Sequence, residues 1–335
     1  MRCGNRNAPH GRTGSFAMKT ISIITPCFNE AENLQECVDR LRHVMESKAS
    51  EYNYEHILAD NASTDGSKAK LIELAASDPR IKVIVNSRNV GPFNNMWNAM
   101  KSSTGDAVIP MLPADLQDPP EVIPKFIKAW EDGNLIAYGI RANRTESIFL
   151  RISRDLYYRL ITKFASEVIP RNSGEFLLAD RKVVDSVLTL KDEYPYIRGL
   201  IAQTGVKSCE IAYTWETRKR GKSKNSLLNL VDQAINGFVS TSRAPARATL
   251  LLGFFFSALG ILGAIATFSI FLLNRTDVQV GIPTLMVTVL FFGGLQLLFL
   301  GLIGEYVLSI HNQVRPRPPV FELEKINFPG EISSN

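Results

Sequence analysis

Cysteine and histidine are scarce in this sequence of 335 residues, which contains only four of each. No two cysteines form a C-x-x-C pair, and the histidines are scattered along the chain. This composition argues against a structural zinc site and against a disulfide-bonded framework, and it fits a reducing compartment. The length allows one large α/β domain together with a smaller appendage.

The beginning of the chain lacks an apolar targeting segment. Residues 1–17 are polar and basic, and they contain no apolar run of the kind that a secretory signal needs. We therefore expect residues 1–17 to form a disordered leader, with Met18 as a natural start of the protein.

Two long segments lack charged residues altogether. Residues 248–273 and 278–304 contain no Asp, Glu, Lys or Arg. Each segment is longer than the roughly 20 residues that cross a bilayer as a helix. Two buried helices of a soluble core are the alternative interpretation. We predict two transmembrane helices over these ranges, joined by a short loop.

Basic residues border these apolar segments on one side. Seven basic residues and only two acidic ones lie between Trp215 and Arg247, and Arg315 and Arg317 follow the second segment. This distribution predicts a multi-pass protein of the inner (cytoplasmic) membrane, with the large part of the chain before the first span and both termini in the cytoplasm. Nucleic-acid binding also uses basic residues, but this cluster has no interleaved aromatics, so we predict no nucleic-acid partner.

Residues 226–242 carry an apolar helical stripe within this basic segment, with polar side chains on the opposite face. The pattern predicts an amphipathic helix lying on the membrane surface. A helix packed on the globular domain is the alternative. We assign residues 218–247 to a basic juxtamembrane segment and residues 305–335 to a cytoplasmic tail.

The part of the chain before this segment alternates between two patterns. Short apolar runs (ISIITPCF, YEHILAD, IKVIVN and DAVIPML) are each followed by a helical pattern. Strands that alternate with helices predict an α/β fold with parallel βαβ units and an open doubly wound, mostly parallel sheet.

Polar residues follow each predicted strand. Ligands of such sheets bind beyond the carboxyl ends of the strands. Ordinary turn and cap chemistry explains any one of these clusters taken alone. Because four clusters occur at successive strand ends, we predict that they form one ligand site. Turn and cap chemistry is the preferred explanation for Asp65 and Asn89 within these clusters. The residues of the four clusters are Pro26, Asn29, Glu30, Asp60, Asn61, Asp65, Arg88, Asn89, Gly91, Asp115, Gln117 and Asp118.

Six segments, in order from residue 20 to residue 320, match the motifs of a known family. They are TPCFNEAENL, DNASTDGS, TGDAVIPMLPADLQDPPE, SGEFLLADRKVVD, RKRGKSKNS and GLIGEYVLSIHNQVRPRPPV. The chain resembles glycosyltransferase family 2, specifically the polyprenyl-phosphate glycosyltransferases. This resemblance implies a Rossmann-like GT-A catalytic domain, here residues 18–217, and two C-terminal transmembrane helices.

The sequence departs from the family pattern at two positions. Pro113 stands where the family usually has the first Asp of its D-x-D motif, and Glu175 stands where it usually has Asp. The chain also has no R-W dipeptide, which processive polysaccharide synthases carry in the motif Q-x-x-R-W. We therefore expect transfer of single sugars instead of polymer synthesis.

The resemblance also implies roles for individual residues. Asp115 and Gln117 are the implied ligands of Mg²⁺ or Mn²⁺, and Asp115 and Glu175 are the implied catalytic residues. Arg88 has a surface salt bridge as its alternative role, and Arg218 and Lys224 have a purely topological one. The implied nucleotide-sugar site is Pro26, Glu30, Asp60, Asn61, Arg88 and Asp115. The implied acceptor-phosphate site is Arg198, Arg218, Ser223 and Lys224.

The resemblance, together with these residues, implies a metal-dependent, inverting glycosyltransferase. It would transfer one sugar from a UDP-sugar to undecaprenyl or dolichyl phosphate at the cytoplasmic face of the membrane. The resemblance further implies a homo-oligomer, in this family a tetramer. One alternative is an enzyme similar to dolichyl-phosphate mannose synthase that uses GDP-mannose. Another, prompted by Pro113, is a membrane-anchored nucleotide-binding scaffold or pseudoenzyme without transferase activity.

Overall fold

The computed structural model describes residues 18–142, 170, 172–190, 195–216, parts of 251–269, 281–314 and 320–329. Its contacts divide the chain into two compact units. The first unit contains a mixed sheet with its helices, and the second contains apolar helices. The predicted leader, residues 1–17, and the predicted amphipathic helix, residues 226–242, lie outside the described residues.

The first unit alternates strands and helices as the sequence pattern predicts. Its elements are β1 (Thr20–Cys27), α1 (Ala31–Lys48), β2 (Asn53–Asp60), α2 (Ser67–Ser77), β3 (Ile81–Asn86), α3 (Pro92–Ser102), β4 (Ala107–Ile109), a 3₁₀ turn (Pro120–Val122), α4 (Ile123–Glu131), β5 (Ile136–Arg141), β6 (Ser173–Asp180), α5 (Arg181–Leu188), α6 (Ile197–Gln203) and β7 (Ser208–Tyr213). A last strand, β8 (Glu322–Ile326), completes the sheet.

The sheet has eight strands in the order β7-β5-β6-β4-β1-β2-β3-β8. Strands β4, β1, β2 and β3 are neighbours and run parallel, so their carboxyl ends meet at one edge. Strand β6 is antiparallel to β4 and β5, and β5 is parallel to β7. The predicted α/β class with a mostly parallel sheet is therefore confirmed.

Both faces of the sheet are buried, which is why its strands are nearly continuous apolar runs. On one face, Ile21 and Ile23 of β1 share a core cluster with residues of α1 and α4. On the other face, Ile24 shares a cluster with residues of α3, α5 and α6. Phe126 and Phe176 pack edge to face at 4.9 Å within the first cluster.

Strand β4 is shorter than the run DAVIPML suggests. It ends at Ile109 because Pro110 has no amide hydrogen to continue the ladder. The chain nevertheless follows β1 for a little longer, since the Leu112 N–H donates to the Ile24 carbonyl at 2.7 Å. The loop beginning at Pro113 therefore leaves the sheet directly above the end of β1.

Strand β8 is a feature that the sequence pattern does not indicate. It pairs antiparallel with β3, with Ile326 opposite Val83 and Glu324 opposite Val85. Asn327 follows it and donates from Nδ2 to the carbonyls of Ala75 and Ile81, both at 2.8 Å. Within the predicted tail, residues Glu322–Ile326 are thus an edge strand of the sheet of the first unit.

The second unit contains the long helix α7 (Ile282–Val314). Within the described residues, α7 is the single helix that is long and apolar enough to cross a membrane, over Phe291–Leu308. It continues beyond the predicted end at residue 304, because no proline interrupts it before Pro316. The predicted span over 248–273 is described only in part, as a shorter apolar helix at Leu251–Gly260. The prediction of two spans is therefore not confirmed.

Candidate active site

Strained backbone marks the carboxyl edge of the sheet. Asn29, Ala62 and Leu116 have positive φ angles of 56°, 59° and 56°. They lie in the loops that follow β1, β2 and β4. Non-glycine residues in this conformation cost about 1–3 kcal/mol each and are concentrated at functional sites. Three of them at adjacent strand ends indicate that this edge is built for binding.

The loop after β4 presents two side chains to solvent. Asp115 and Gln117 are partly exposed, whereas Ala114, Leu116 and Asp118 are 4%, 4% and 1% exposed. The Gln117 N–H donates to Asp115 Oδ1 at 3.3 Å, which closes the loop around Leu116. This alternation directs the carboxylate of Asp115 and the amide of Gln117 outward from the same short turn.

Oxygen ligands of this kind suit Mg²⁺ or Mn²⁺. Such ions commonly bind one or two protein carboxylates, with waters and substrate phosphates supplying the other ligands. Asp115 and Gln117 fit this pattern as a pair of protein ligands. No group of three His, Cys, Asp or Glu side chains that could hold a metal occurs among the described residues. Pro113 is at the start of the same loop and contributes no carboxylate.

Asp118 has a different role from Asp115. Its carboxylate is buried and accepts from Arg141 Nε at 3.0 Å and from Nη2 at 2.8 Å, and it also accepts from the Tyr213 hydroxyl. Burial alone would lower the pKa of Arg141, but the hydrogen bond to Asp118 raises it. Through these contacts, Asp118 therefore holds the end of the loop in place. Arg141 lacks an obvious sequence signal apart from its place at the end of β5.

Asn61 joins three strand ends. Its N–H donates to the Cys27 carbonyl, and its Nδ2 donates to Asn89 Oδ1, both at 2.9 Å. Its own Oδ1 accepts from the Val90 N–H at 2.9 Å. The predicted nucleotide-binding residue Asn61 thus holds the loops after β1, β2 and β3 together, and its side chain is hydrogen-bonded to other loop residues.

Asp60, at the end of β2, is 1% exposed. Its two carboxylate oxygens lie 3.4 and 3.2 Å from the donating Ser63 N–H. Burial raises the pKa of Asp60, and the hydrogen bonds from Ser63 oppose that shift. Asp60 lies on the parallel strand next to β1, directly opposite Cys27, and so borders the same edge.

Three further predicted residues also lie at this edge. Pro26 is partly exposed near the end of β1, and Glu30 accepts from Asn33 Nδ2 at 2.6 Å. The Glu30 N–H donates to Ser67 Oγ at 2.9 Å, which ties the loop after β1 to helix α2. Arg88 is exposed and makes no ion pair with the residues that the structure describes. Its alternative role in a surface salt bridge therefore finds no support there.

Glu175 and Arg198 come together although they are 23 residues apart. The Arg198 N–H donates to Glu175 Oε2 at 2.9 Å, and Arg198 Nε lies 3.9 Å from Oε1. Glu175 is only 9% exposed, and this burial raises its pKa while the positive charge of Arg198 opposes the shift. Two residues predicted for catalysis and acceptor binding are thus in contact.

The register of the sheet places Glu175 near the loop after β4. Val108 of β4 lies opposite Ala179 of the antiparallel β6. Continuing this register sets Glu175 level with Leu112, just before the loop of Asp115. A Cβ added at Gly174 would lie 3.1 Å from Arg141 Nη2, so the pair with Asp118 is close as well. Arg218, Ser223 and Lys224 lie outside the described residues.

Comparison with known proteins shows the family to which the chain belongs. The family model described as Glycosyl transferase family 2 matches residues 22–188. The uncharacterized glycosyltransferase YkcC of Bacillus subtilis (strain 168) is 33% identical over 89% of this chain and 91% of its own length. The chain belongs to glycosyl transferase family 2. It is therefore a glycosyltransferase by family.

Other proteins that are similar to this chain have more specific names. The SfII prophage-derived bactoprenol glucosyl transferase of Shigella flexneri is 31% identical over 89% of this chain and 96% of its own length. Among solved structures, glucosyl-3-phosphoglycerate synthase from Mycobacterium tuberculosis, in complex with Mn²⁺, UDP and phosphoglyceric acid, is similar at 17% identity. Its TM-score is 0.49, over 66% of this chain and 78% of that one.

Proposed function

We propose that this family 2 member transfers one sugar from a UDP-sugar to a polyprenyl phosphate, with inversion at the anomeric carbon. The observation that carries this proposal is the outward pair of Asp115 and Gln117 on the strained loop after β4. The bactoprenol glucosyl transferase from Shigella flexneri, similar over 89% of this chain, supports a lipid acceptor.

The donor would bind across the carboxyl edge of the parallel strands. Asp60, Glu30 and Pro26 border the position proposed for the nucleotide, and Arg88 is exposed beside it with its donors available to a phosphate. Asp115 and Gln117 would hold Mg²⁺ or Mn²⁺, which neutralises the negative charge of a departing diphosphate. The buried pair of Asp118 and Arg141 would keep this loop in place during the reaction.

The acceptor would approach from the side of Glu175 and Arg198. An oxygen of the lipid phosphate attacks the anomeric carbon, and the bond from that carbon to the nucleotide diphosphate breaks with its electron pair on the diphosphate. A phosphate monoester is already ionised near neutral pH, so it needs little help from a base. Glu175 would orient the acceptor or accept a residual proton. Arg198, Arg218, Ser223 and Lys224 would bind its phosphate.

Residues 248–273 and 278–304 would anchor the enzyme in the inner membrane, with both termini in the cytoplasm. The pairing of β8 with β3 supports this topology, because the chain returns to the same sheet after the apolar segments. A hairpin of two crossings would account for this return. Cysteine labelling should reach positions near Lys224 and Arg317 from the cytoplasmic side only, and position 276 from the outside only. Opposite labelling of the first two positions would contradict the hairpin.

A nucleotide-binding scaffold is the second candidate function, and the observation in its favour is Pro113 in place of a carboxylate. A scaffold would bind a nucleotide-sugar without turning it over. An enzyme that uses GDP-mannose is a variant of the main proposal and differs only in its donor.

The test is a screen of radiolabelled nucleotide-sugars against polyprenyl phosphate in membranes that contain the protein, with Mg²⁺ or Mn²⁺. We expect one UDP-sugar to give a labelled lipid product, and excess chelator to abolish it. Turnover of a GDP-sugar alone would replace the proposed donor. Binding of a nucleotide-sugar without any labelled lipid would favour the scaffold.

A further inference from the structure

Arg40 connects two acidic residues that are far apart in the sequence. It lies on α1, and its guanidinium donates to both oxygens of Glu121, from Nε at 3.0 Å and from Nη2 at 2.8 Å. The same guanidinium donates to Glu216, from Nη2 at 3.3 Å and from Nη1 at 3.5 Å. The side chain of Arg40 is 24% exposed, so this network is partly shielded from water.

The two acidic residues belong to two functional segments. Glu121 lies four residues after Gln117, in the 3₁₀ turn that directly follows the loop with the proposed metal ligands. Glu216 is the last residue that the structure describes before the basic juxtamembrane segment, and its N–H donates to the Gln117 carbonyl at 2.9 Å. Arg40 and this backbone bond therefore attach residue 216 to the loop after β4.

We propose that Arg40 is a positioning residue. It would hold Glu216, which precedes the proposed acceptor-binding residues Arg218, Ser223 and Lys224, against the loop after β4 that carries the proposed metal ligands. Arg218 follows Glu216 by two residues, so its Cα is at most about 7 Å from that of Glu216. Holding Glu216 beside Gln117 thus limits where Arg218 can meet the lipid phosphate relative to the donor diphosphate. The proposal rests on the proposed function, which assigns the acceptor phosphate to Arg218.

An arginine suits this task better than a lysine does. Its planar fork donates to both oxygens of Glu121 and still reaches Glu216, whereas an ammonium group has no fixed fork. A single exposed ion pair contributes little, but a partly shielded network with bidentate geometry contributes more. The loop after β4 keeps its own support through Asp118 and Arg141. Loss of Arg40 should therefore affect the acceptor side more than the donor side.

The experiment compares Arg40→Met with Arg42→Met in the full chain. Arg42 is a matched control because it lies on the same helix, is 32% exposed and also pairs with two carboxylates, Asp39 and Asp78. In Arg40→Met we expect the KM for polyprenyl phosphate to rise about tenfold, with the KM for the nucleotide-sugar within about twofold. Arg40→Lys should recover part of the loss, and Glu216→Gln should reproduce it.

A second readout does not depend on activity. Trypsin cleavage between Arg218 and Lys224, followed by mass spectrometry, should be about tenfold faster in Arg40→Met than in the wild type or in Arg42→Met. If trypsin cleaves Arg40→Met faster but the wild type transfers no sugar, then Arg40 holds the segment and the proposed function is wrong. Equal cleavage rates, or equal changes of KM in the two methionine variants, would overturn the role of Arg40.

Discussion

Two buried glutamates lie at opposite ends of the sheet and have opposite surroundings. Glu55, near the start of β2, is 4% exposed and accepts from Ser22 Oγ at 2.5 Å and from the Thr104 N–H at 2.6 Å. It also pairs with Lys82. Glu175, on β6 toward the carboxyl edge, is 9% exposed and has one backbone donor and an arginine at 3.9 Å.

The same residue type at similar burial therefore ionises differently. Burial alone would raise the pKa of Glu55, but hydrogen bonds from Lys82, Ser22 and Thr104 lower it below its usual value. Burial also raises the pKa of Glu175, and there the opposing contacts are too few to reverse the shift. A buried carboxylate that is surrounded by hydrogen-bond donors, such as Glu55, stabilises the fold. A buried carboxylate with few donors at the carboxyl edge of the sheet, such as Glu175, is a candidate catalytic residue.

The largest effect is expected from a substitution in the loop after β4, and a substitution just before β4 provides its control. Asp115→Asn should reduce sugar transfer by about 10³-fold or more, because it removes the charged oxygen that would hold the metal beside the leaving diphosphate. Asp106→Asn at the exposed start of β4 is the control and should leave the rate within about twofold. Steady-state rates in membranes measure both. A wild-type rate for Asp115→Asn would remove Asp115 from the site.

The second prediction compares the same substitution at the two glutamates: it should lower stability at Glu55 and activity at Glu175. Glu55→Gln should destabilise the protein by about 3–5 kcal/mol, because it leaves the nearly buried Lys82 without its counter-charge. Glu175→Gln should lower activity by about 10²-fold while it keeps the melting temperature close to that of the wild type. Thermal unfolding in detergent and transfer rates test the pair together. If Glu175→Gln unfolds the protein and Glu55→Gln does not, the comparison is wrong.

A third prediction concerns the segment that follows Glu216. Arg218→Gln and Lys224→Gln should each raise the KM for polyprenyl phosphate about ten- to a hundredfold, from the loss of a charge-assisted contact worth roughly 1.5–3 kcal/mol. Lys219→Gln is the control, since it has the same charge but lies outside the family spacing R-x-x-G-x-[ST]-K. Equal and small effects in all three variants would leave these residues with a topological role only.

The smallest effect concerns His56, beside Glu55 on β2. Burial lowers its pKa to about 3, and its Nε2 lies 2.8 Å from Thr25 Oγ1. Between about pH 6.5 and 3 the unfolded chain binds a proton here that the folded chain does not, so stability falls as the pH falls. His56→Gln should remove roughly 1.4 kcal/mol per pH unit from this slope between pH 6 and 5.

Exposed His43 on α1 provides the control for that slope. His43→Gln replaces an exposed side chain and leaves buried His56 in place, so this variant should keep the wild-type pH dependence of unfolding. Chemical denaturation at several pH values measures all three proteins. Parallel slopes for the wild type and His56→Gln would show that His56 does not contribute to acid sensitivity.

The amino-acid sequence by itself determined the features that depend on local pattern. Apolar runs followed by helical patterns were enough to predict the α/β class, and the start of α4 just after Pro119 and Pro120 follows from the local preference of proline for a first helical turn. The motif around Asp115 and Gln117 was recognisable because its members are two residues apart and their spacing carries the geometry.

Only the tertiary structure decided which distant residues meet. Strand β8 pairs with β3 although more than two hundred residues separate them, and a short charged run such as ELEKI has no local pattern that predicts an edge strand. Arg40 and Glu216 are 176 residues apart, and Asp118 and Tyr213 are 95 apart. Such pairs depend on how the strands and helices assemble around the whole sheet. The partner of a side chain, and therefore its charge state, follows from the fold alone.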